Sequence, residues 1–234
     1  MILTPDQKQY CLNNLAIYYQ KVVDQSQNVI KYELLTRLPN PDIVENLESF
    51  FGDLTPQESL DITMRQIDIS QRIFSNTGKL CSINVDNIVL VEEDLKDKLL
   101  DAAKGLTHPV ILEFTEIRAM PPADSINSLF FKLKQHNVSI ALDDFGTGFN
   151  GMSIFADYDF DIIKIDKSLI TGIQTRPQKL QILSHMLDLM NALDKQHIVE
   201  GVESQSQFEP LCDAGFEAFQ GFLFHKPCPV EEIL

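Results

Sequence analysis

The chain has 234 residues, of which 44% are hydrophobic and 23% charged, and its formal net charge is −15. That balance describes a globular chain with enough apolar material for a sizeable core. So acidic a chain excludes a broad surface for DNA or RNA duplexes, which would need clustered Lys and Arg, although bound metal ions can still bring a phosphate ligand to an acidic protein.

A helix-like segment comes first, followed by β-rich runs expected as strands at 16–24 and 29–38. Thr55-Pro56-Gln57-Glu58 reads as a helix start, with Thr55 as cap, Pro56 in the first turn and Glu58 completing a capping box. The helix it opens is expected over 56–74, where apolar residues recur at three- and four-residue spacing. Strands at 80–86, 110–116, 139–145, 161–167, 197–203 and 218–224 then alternate with helices at 92–103, 124–136, 179–193 and 205–212, and only "PVEEIL" follows. Strands separated by helices imply parallel pairing through crossovers. Eight of them in this length predict an α/β fold, a modified TIM-type (β/α)8 barrel. Strands one and two are joined only by "QSQN", too short for a crossover, so the first strand should be antiparallel. No repeat, low-complexity tract or linker interrupts residues 1–234, which read as a single domain.

Cys11, Cys81, Cys212 and Cys228 are scattered without CxxC spacing and read as reduced thiols. No apolar run approaches the ~20 residues of a membrane helix, and the first residues lack a signal-peptide pattern. The expectation is a cytoplasmic domain with no membrane contact.

Barrel chemistry sits at the C-terminal ends of the strands, and there the runs carry polar residues: Glu33, Asn84, Glu113, the pair Asp143 and Asp144, Lys164, Glu200 and Gln220. Any one of these could be a charge on a solvated strand end. Together they suit a ring converging on the barrel axis. Buried carboxylates without partners are costly, so such a ring needs cations. Oxygen ligands with a lone Asn carbonyl among them fit Mg²⁺ or Mn²⁺. The histidines do not pair at ligand spacing, which disfavours a His-based zinc site. Asp143 is expected to point inward at the strand end. Asp144 begins the turn, and Gly146 and Gly148 would let both carboxylates reach the same side. Asp143 could then bridge two ions, with Asp144 on the second only, in a site that clamps a phosphodiester in line. "DFG" also occurs in protein kinases, but no glycine-rich GxGxxG loop or HRD-type loop accompanies it here.

The pieces "YYQKVVD" (18–24), "YELLTRL" (32–38), "SINVDNIVL" (82–90), "LEFTE" (112–116), "DDFGTGF" (143–149), "IIKIDKSLI" (162–170), "VEGVES" (199–204) and "QGFLFHKPCP" (220–229) are each weak alone. In this order they resemble the EAL-domain phosphodiesterases that cleave cyclic di-GMP. The resemblance implies a barrel modified at its first strand and hydrolysis of cyclic di-GMP to linear pGpG with two Mg²⁺ or Mn²⁺ ions. It implies Glu33, Asn84, Glu113 and Asp143 as ligands of the first ion, and Asp143, Asp144 and Glu200 as ligands of the second. Lys164 is similar to the lysine that holds the attacking water and phosphate, with the proton managed by Glu200 or Lys164. Gln220 is like the glutamine near the second ion's waters, and Glu203 and Glu116 resemble glutamates that support the site and its loop. Gln20, Leu35 and Arg37 resemble substrate contacts, with Arg37 at a phosphate. A homodimer through the region after Gly148 is the family's expectation.

The chain also departs from the family. Its name motif is Glu33-Leu34-Leu35, with Leu34 expected to face the outer helices, and Lys21 replaces a usual proline. Residues 39–61 lack the family's Pro-x-x-Phe-Ile-Pro-x-Ala-Glu element. The alternatives to a hydrolase are a catalytically quiet cyclic di-GMP receptor and a protein-interaction adaptor. Quiet relatives would be expected to lack metal ligands or the lysine, and this chain lacks none.

Overall fold

The turn at 25–28 folds β1 (Ala16–Asp24) and β2 (Val29–Arg37) into an antiparallel hairpin that sets Gln20 opposite Glu33. The structure is a computed structural model that describes residues 4–39, 47–115, 120–147 and 152–234. From β2 onward the chain returns through crossovers. β3 (Leu80–Val85), β4 (Val110–Thr115), β5 (Val138–Phe145), β6 (Ile162–Ile165), β7 (Gln196–Val199) and β8 (Ala218–Gln220) join it in order, each parallel to the last. β8 then pairs antiparallel with β1, and because β1 also pairs with β2 the sheet closes into a barrel. A short β9 (Cys228–Pro229) lies antiparallel against Tyr18 and Tyr19 of β1.

The helices form the outer layer. α1 (Pro5–Asn13) precedes the barrel, and α2 (Leu47–Gly52) and α3 (Pro56–Thr77) follow β2. α3 starts where the capping box places it. Glu58 N–H donates to Thr55 Oγ1 at 3.3 Å and Thr55 N–H donates to Glu58 Oε2 at 2.7 Å. Lys8 Nζ, 2.6 Å from the same carboxylate, ties α1 to α3. α4 (Glu93–Lys104), α5 (Ala123–Lys134), α6 (Ile154–Asp157), α7 (Lys167–Ile170), α8 (Pro177–Ala192) and α9 (Gln205–Asp213) complete the layer.

Side chains alternate across each strand, and this alternation positions the site. Outward residues such as Leu34, Ile83, Leu112, Leu142 and Ile163 pack with the helices in the main core. Leu34, fully buried there, faces outward as the sequence suggests. Inward residues Val22, Ile111, Ala141, Ile162, Ile198 and Ala218 form a separate apolar layer inside the barrel. Two residues further toward the C-terminal ends stand Glu113, Asp143, Lys164, Glu200 and Gln220. The apolar layer is the floor on which these polar groups rest.

The later strands are shorter than the sequence predicts. β6 stops at Ile165 because Asp166 caps α7, accepting from Ser168 N–H at 2.8 Å. β7 stops at Val199, with Gly201 in the left-handed region (φ 66), so Glu200 stands just beyond the strand. The 3-10 turn Asn87–Leu90, α2, α6, α7 and β9 are short elements that periodicity does not mark. All four cysteines are free, and no described helix is long and apolar enough to cross a membrane.

Candidate metal centre

The site assembles around Lys164. Its side chain is 1% exposed and rises from β6 into the barrel end. The ammonium lies 2.8 Å from Asp143 Oδ1, 2.9 Å from both Glu113 Oε2 and Glu200 Oε1, and 3.6 Å from Glu33 Oε1. Glu33 comes from β2, Glu113 from β4, Asp143 from β5 and Glu200 from the end of β7, so four strands converge on one cation. Asn84, paired in register with Glu113, donates from Nδ2 to Glu33 Oε1 at 3.2 Å. Gln220 Nε2 contacts the other oxygen of Glu33 and donates to Gln20 Oε1 at 3.1 Å. Gln20 in turn donates from Nε2 to the His225 carbonyl at 2.9 Å. Glu33 is thus held from two sides by amides, and β1 is tied to the closing strand.

The adjacent aspartates reach one side by a route that differs in detail from the expected one. Asp144 itself takes the left-handed conformation (φ 56) inside β5, where the ladder to β6 skips between Leu142 and Phe145. This bulge, rather than glycine alone, turns the second carboxylate toward the first. Asp is among the few non-glycine residues that visit this region readily. Gly146 follows at φ 106, and a Cβ there would stand 2.5 Å from Leu169 Cδ1. Gly148 lies outside the described residues. As a result, ligand oxygens of Asp143, Asp144 and Glu200 all lie within 4.8 Å of one another.

Electrostatics in this pocket are dominated by burial. Burial pushes Glu113 up to about 8; Lys164 opposes the rise, and Glu33 and Asp143 add to it. Asp144 is raised to about 6 by burial and then by Asp143, and Glu200 is held well above the ordinary carboxylate range, again chiefly by burial. For Lys164 burial is the largest single influence and acts downward. The carboxylates of Asp143, Glu113, Glu200 and Glu33 together outweigh it, so the ammonium stays protonated well above the ordinary lysine value.

One ammonium does not satisfy this many oxygens. Glu113 Oε1 and Gln220 Oε1 are buried without a hydrogen-bond partner, and Asp143 Oδ1 meets Lys164 without hydrogen-bond geometry. Unpartnered carboxylate and amide oxygens, with no sulfur and no imidazole among them, are a donor set that suits hard divalent cations.

Leu35 and Arg37 line a cleft of about 480 Å³ that runs from Asn84 and Glu113 to Phe51, Leu54 and Ile62. Arg37 donates to the Thr36 carbonyl at 3.1 Å. Glu203 is exposed, and its carboxylate has no hydrogen-bond partner among the described residues. Glu116 lies outside the described residues. Phe51, Leu54 and Ile62 belong to or follow the segment that departs from the family pattern, and sequence reasoning flagged the segment without assigning them to the cleft. The His225 carbonyl that holds Gln20 was missed as well, since a backbone acceptor leaves no mark in the sequence.

The family model described as EAL domain matches residues 7–227. The chain is similar to the "Probable cyclic di-GMP phosphodiesterase PdeB" of Escherichia coli K12, with 27% identity over 233 residues. That match covers 94% of this chain and 44% of PdeB, so the chain spans less than half of that relative's length. Among solved structures, the EAL domain protein from Listeria monocytogenes EGD-e superposes with a TM-score of 0.84 at 25% identity, covering 100% of this chain and 97% of that one. The PaMucR phosphodiesterase in its c-di-GMP complex gives 0.78 at 25% identity, covering 98% of each.

Proposed function

This chain belongs to the EAL domain family, and on that premise we propose that it hydrolyses cyclic di-GMP to linear pGpG at the C-terminal mouth of its barrel. The observation that carries the reading is the convergence of Glu33, Glu113, Asp143 and Glu200 on Lys164, with Asp144 beside them. In this reading Glu33, Asn84, Glu113 and Asp143 would hold one Mg²⁺ or Mn²⁺ ion, and Asp143, Asp144 and Glu200 would hold a second. Such ions, when bound, lower the pKa of coordinated water and neutralise phosphodiester charge.

The chain's own groups account for the rest. Lys164, kept protonated by its neighbours, supplies positive charge and a donor to a non-bridging phosphate oxygen. That leaves Glu200, 2.9 Å away, as the better acceptor for the proton of the attacking water. The water oxygen bonds to phosphorus, the bond from phosphorus to the 3′-oxygen breaks, and the proton ends on the leaving oxygen. Gln220, with an unpartnered buried Oε1, orients a water. Arg37 at the rim meets a phosphate, and Leu35, Gln20, Glu203 and Glu116 border or support the site. A single domain over residues 1–234, a cytoplasmic location and a homodimer through the region after Gly148 belong to the same proposal.

The test compares the chain with its Asp143→Asn and Glu113→Gln variants on cyclic di-GMP and Mn²⁺, separating the nucleotides by chromatography. The reading expects pGpG from the parent chain and a loss of at least about 10²-fold in either variant, the scale of several kcal/mol of transition-state charge stabilisation. Full activity in Asp143→Asn would sink the assignment. Saturable binding with no product from the parent chain would favour the receptor reading.

A further inference from the structure

A second cavity lies at the other end of the barrel. It measures about 800 Å³ and opens among the N-terminal ends of the strands, with Lys31, Asp194, Lys195, His197 and Glu217 on its walls. Lys31 stands on β2 two residues before Glu33, so its side chain enters the barrel beside the apolar floor. It is only 8% exposed, yet its ammonium makes neither a hydrogen bond nor an ion pair among the described residues. Glu113 attracts it and Lys164 repels it through the barrel without contact, whereas Lys164, one layer above, is met directly by carboxylates. A buried charge without a partner is costly, and the cavity is the direction from which a partner can come.

The other charges around the cavity define that partner. Lys195 is engaged by Asp159 at 3.6 Å, and the Asp24 carboxylate is taken by Asn28 N–H at 2.8 Å. His197 is buried, with Nε2 3.2 Å from Glu217 N and Nδ1 unpartnered. Glu217 and Asp194 are exposed, and neither carboxylate has a partner among the described residues. The cavity therefore runs from an unbalanced cation at its floor to unbalanced carboxylates at its rim. Those carboxylates, and a chain charge of −15, oppose entry of a multiply charged anion.

We propose that this cavity binds a small zwitterion of the amino-acid type, with its carboxylate on Lys31 and its ammonium toward Glu217 and Asp194. The test is thermal unfolding of the 234-residue chain with glycine, β-alanine or 4-aminobutyrate, which hold the two charges at increasing separation. Acetate and inorganic phosphate at equal ionic strength are the controls. At least one zwitterion should raise the midpoint saturably by about 3 °C or more at millimolar concentration, and the rise should vanish in Lys31→Met and in Glu217→Gln. Glu217 is exposed, so its variant keeps the test decisive should Lys31→Met fail to fold. The proposal is overturned by no saturable rise with any zwitterion, by an equal rise with acetate or phosphate, or by a response that survives Glu217→Gln.

Discussion

Replacing Lys164 with methionine keeps the volume of the side chain and removes the cation that, among the described residues, contacts Glu33, Glu113, Asp143 and Glu200. Lys164 and Glu113 are 1% and 0% exposed, and three of the four contacts lie between 2.8 and 2.9 Å. Breaking a buried pair by deleting one partner costs about 3–5 kcal/mol, because the remaining charge is left uncompensated. In a chain of this size each kcal/mol moves the thermal midpoint by about 2–4 °C, which predicts a fall of roughly 6–20 °C for Lys164→Met in EDTA at pH 8. The pH dependence follows from linkage. Burial raises the folded-state pKa of Glu113 from 4.5 to about 8, so between those values the folded chain holds a proton that the unfolded chain has released. Stability of the metal-free protein therefore falls as pH rises through that window. Without the ammonium these carboxyls shift further up, so the penalty of Lys164→Met should be larger at pH 8 than at pH 5, where they can take protons. Urea unfolding at both pH values measures it. A variant within about 0.5 kcal/mol of the parent at pH 8, well below that range, or a penalty that grows as the pH falls, would refute the reasoning.

Loading Mn²⁺ into the metal-free chain at pH 6 should release protons, because Glu113 and Asp144 are raised to about 8 and about 6, and affinity should tighten from pH 6 to pH 8; calorimetry in buffers of different ionisation enthalpy reads both. Asp144→Asn should weaken Mn²⁺ binding by about tenfold or more, measured in the same titration, since it removes one corner of the triad with Asp143 and Glu200. Gly146→Ala should cost about 1–3 kcal/mol in urea unfolding, because φ is +106 and the new Cβ meets Leu169 at 2.5 Å. Thr55→Ala, which removes the cap of α3, should cost about 1 kcal/mol by the same assay.

Much of this architecture was legible because it rests on local rules. The turn at 25–28 is too short for a crossover, and that alone gave the antiparallel first strand. The Thr55–Glu58 box gave the start of α3 to the residue. The inward ring followed from one polar residue per strand flanked by apolar ones, while the apolar floor beneath it emerges only from the fold. What stayed hidden depends on contacts between distant segments. The ends of β6 and β7 are set by the Asp166 cap and the turn at Gly201, which an apolar run does not announce. The left-handed turn at Asp144 arises from how β5 meets β6, so the sequence suggested glycine as the cause when the aspartate carries it. The proposed choice of Glu200 over Lys164 for the proton rests on the distances from Lys164 to four carboxylates, which a sequence does not carry. Lys31 looked like any strand lysine until its burial and missing partner were known.

The most direct test of the central claim is product formation. The 234-residue chain is incubated with cyclic di-GMP and Mn²⁺, with a parallel sample in EDTA, and the nucleotides are separated by chromatography. The account predicts time-dependent conversion to linear pGpG that requires the metal. No pGpG from a chain shown to bind Mn²⁺ would contradict it.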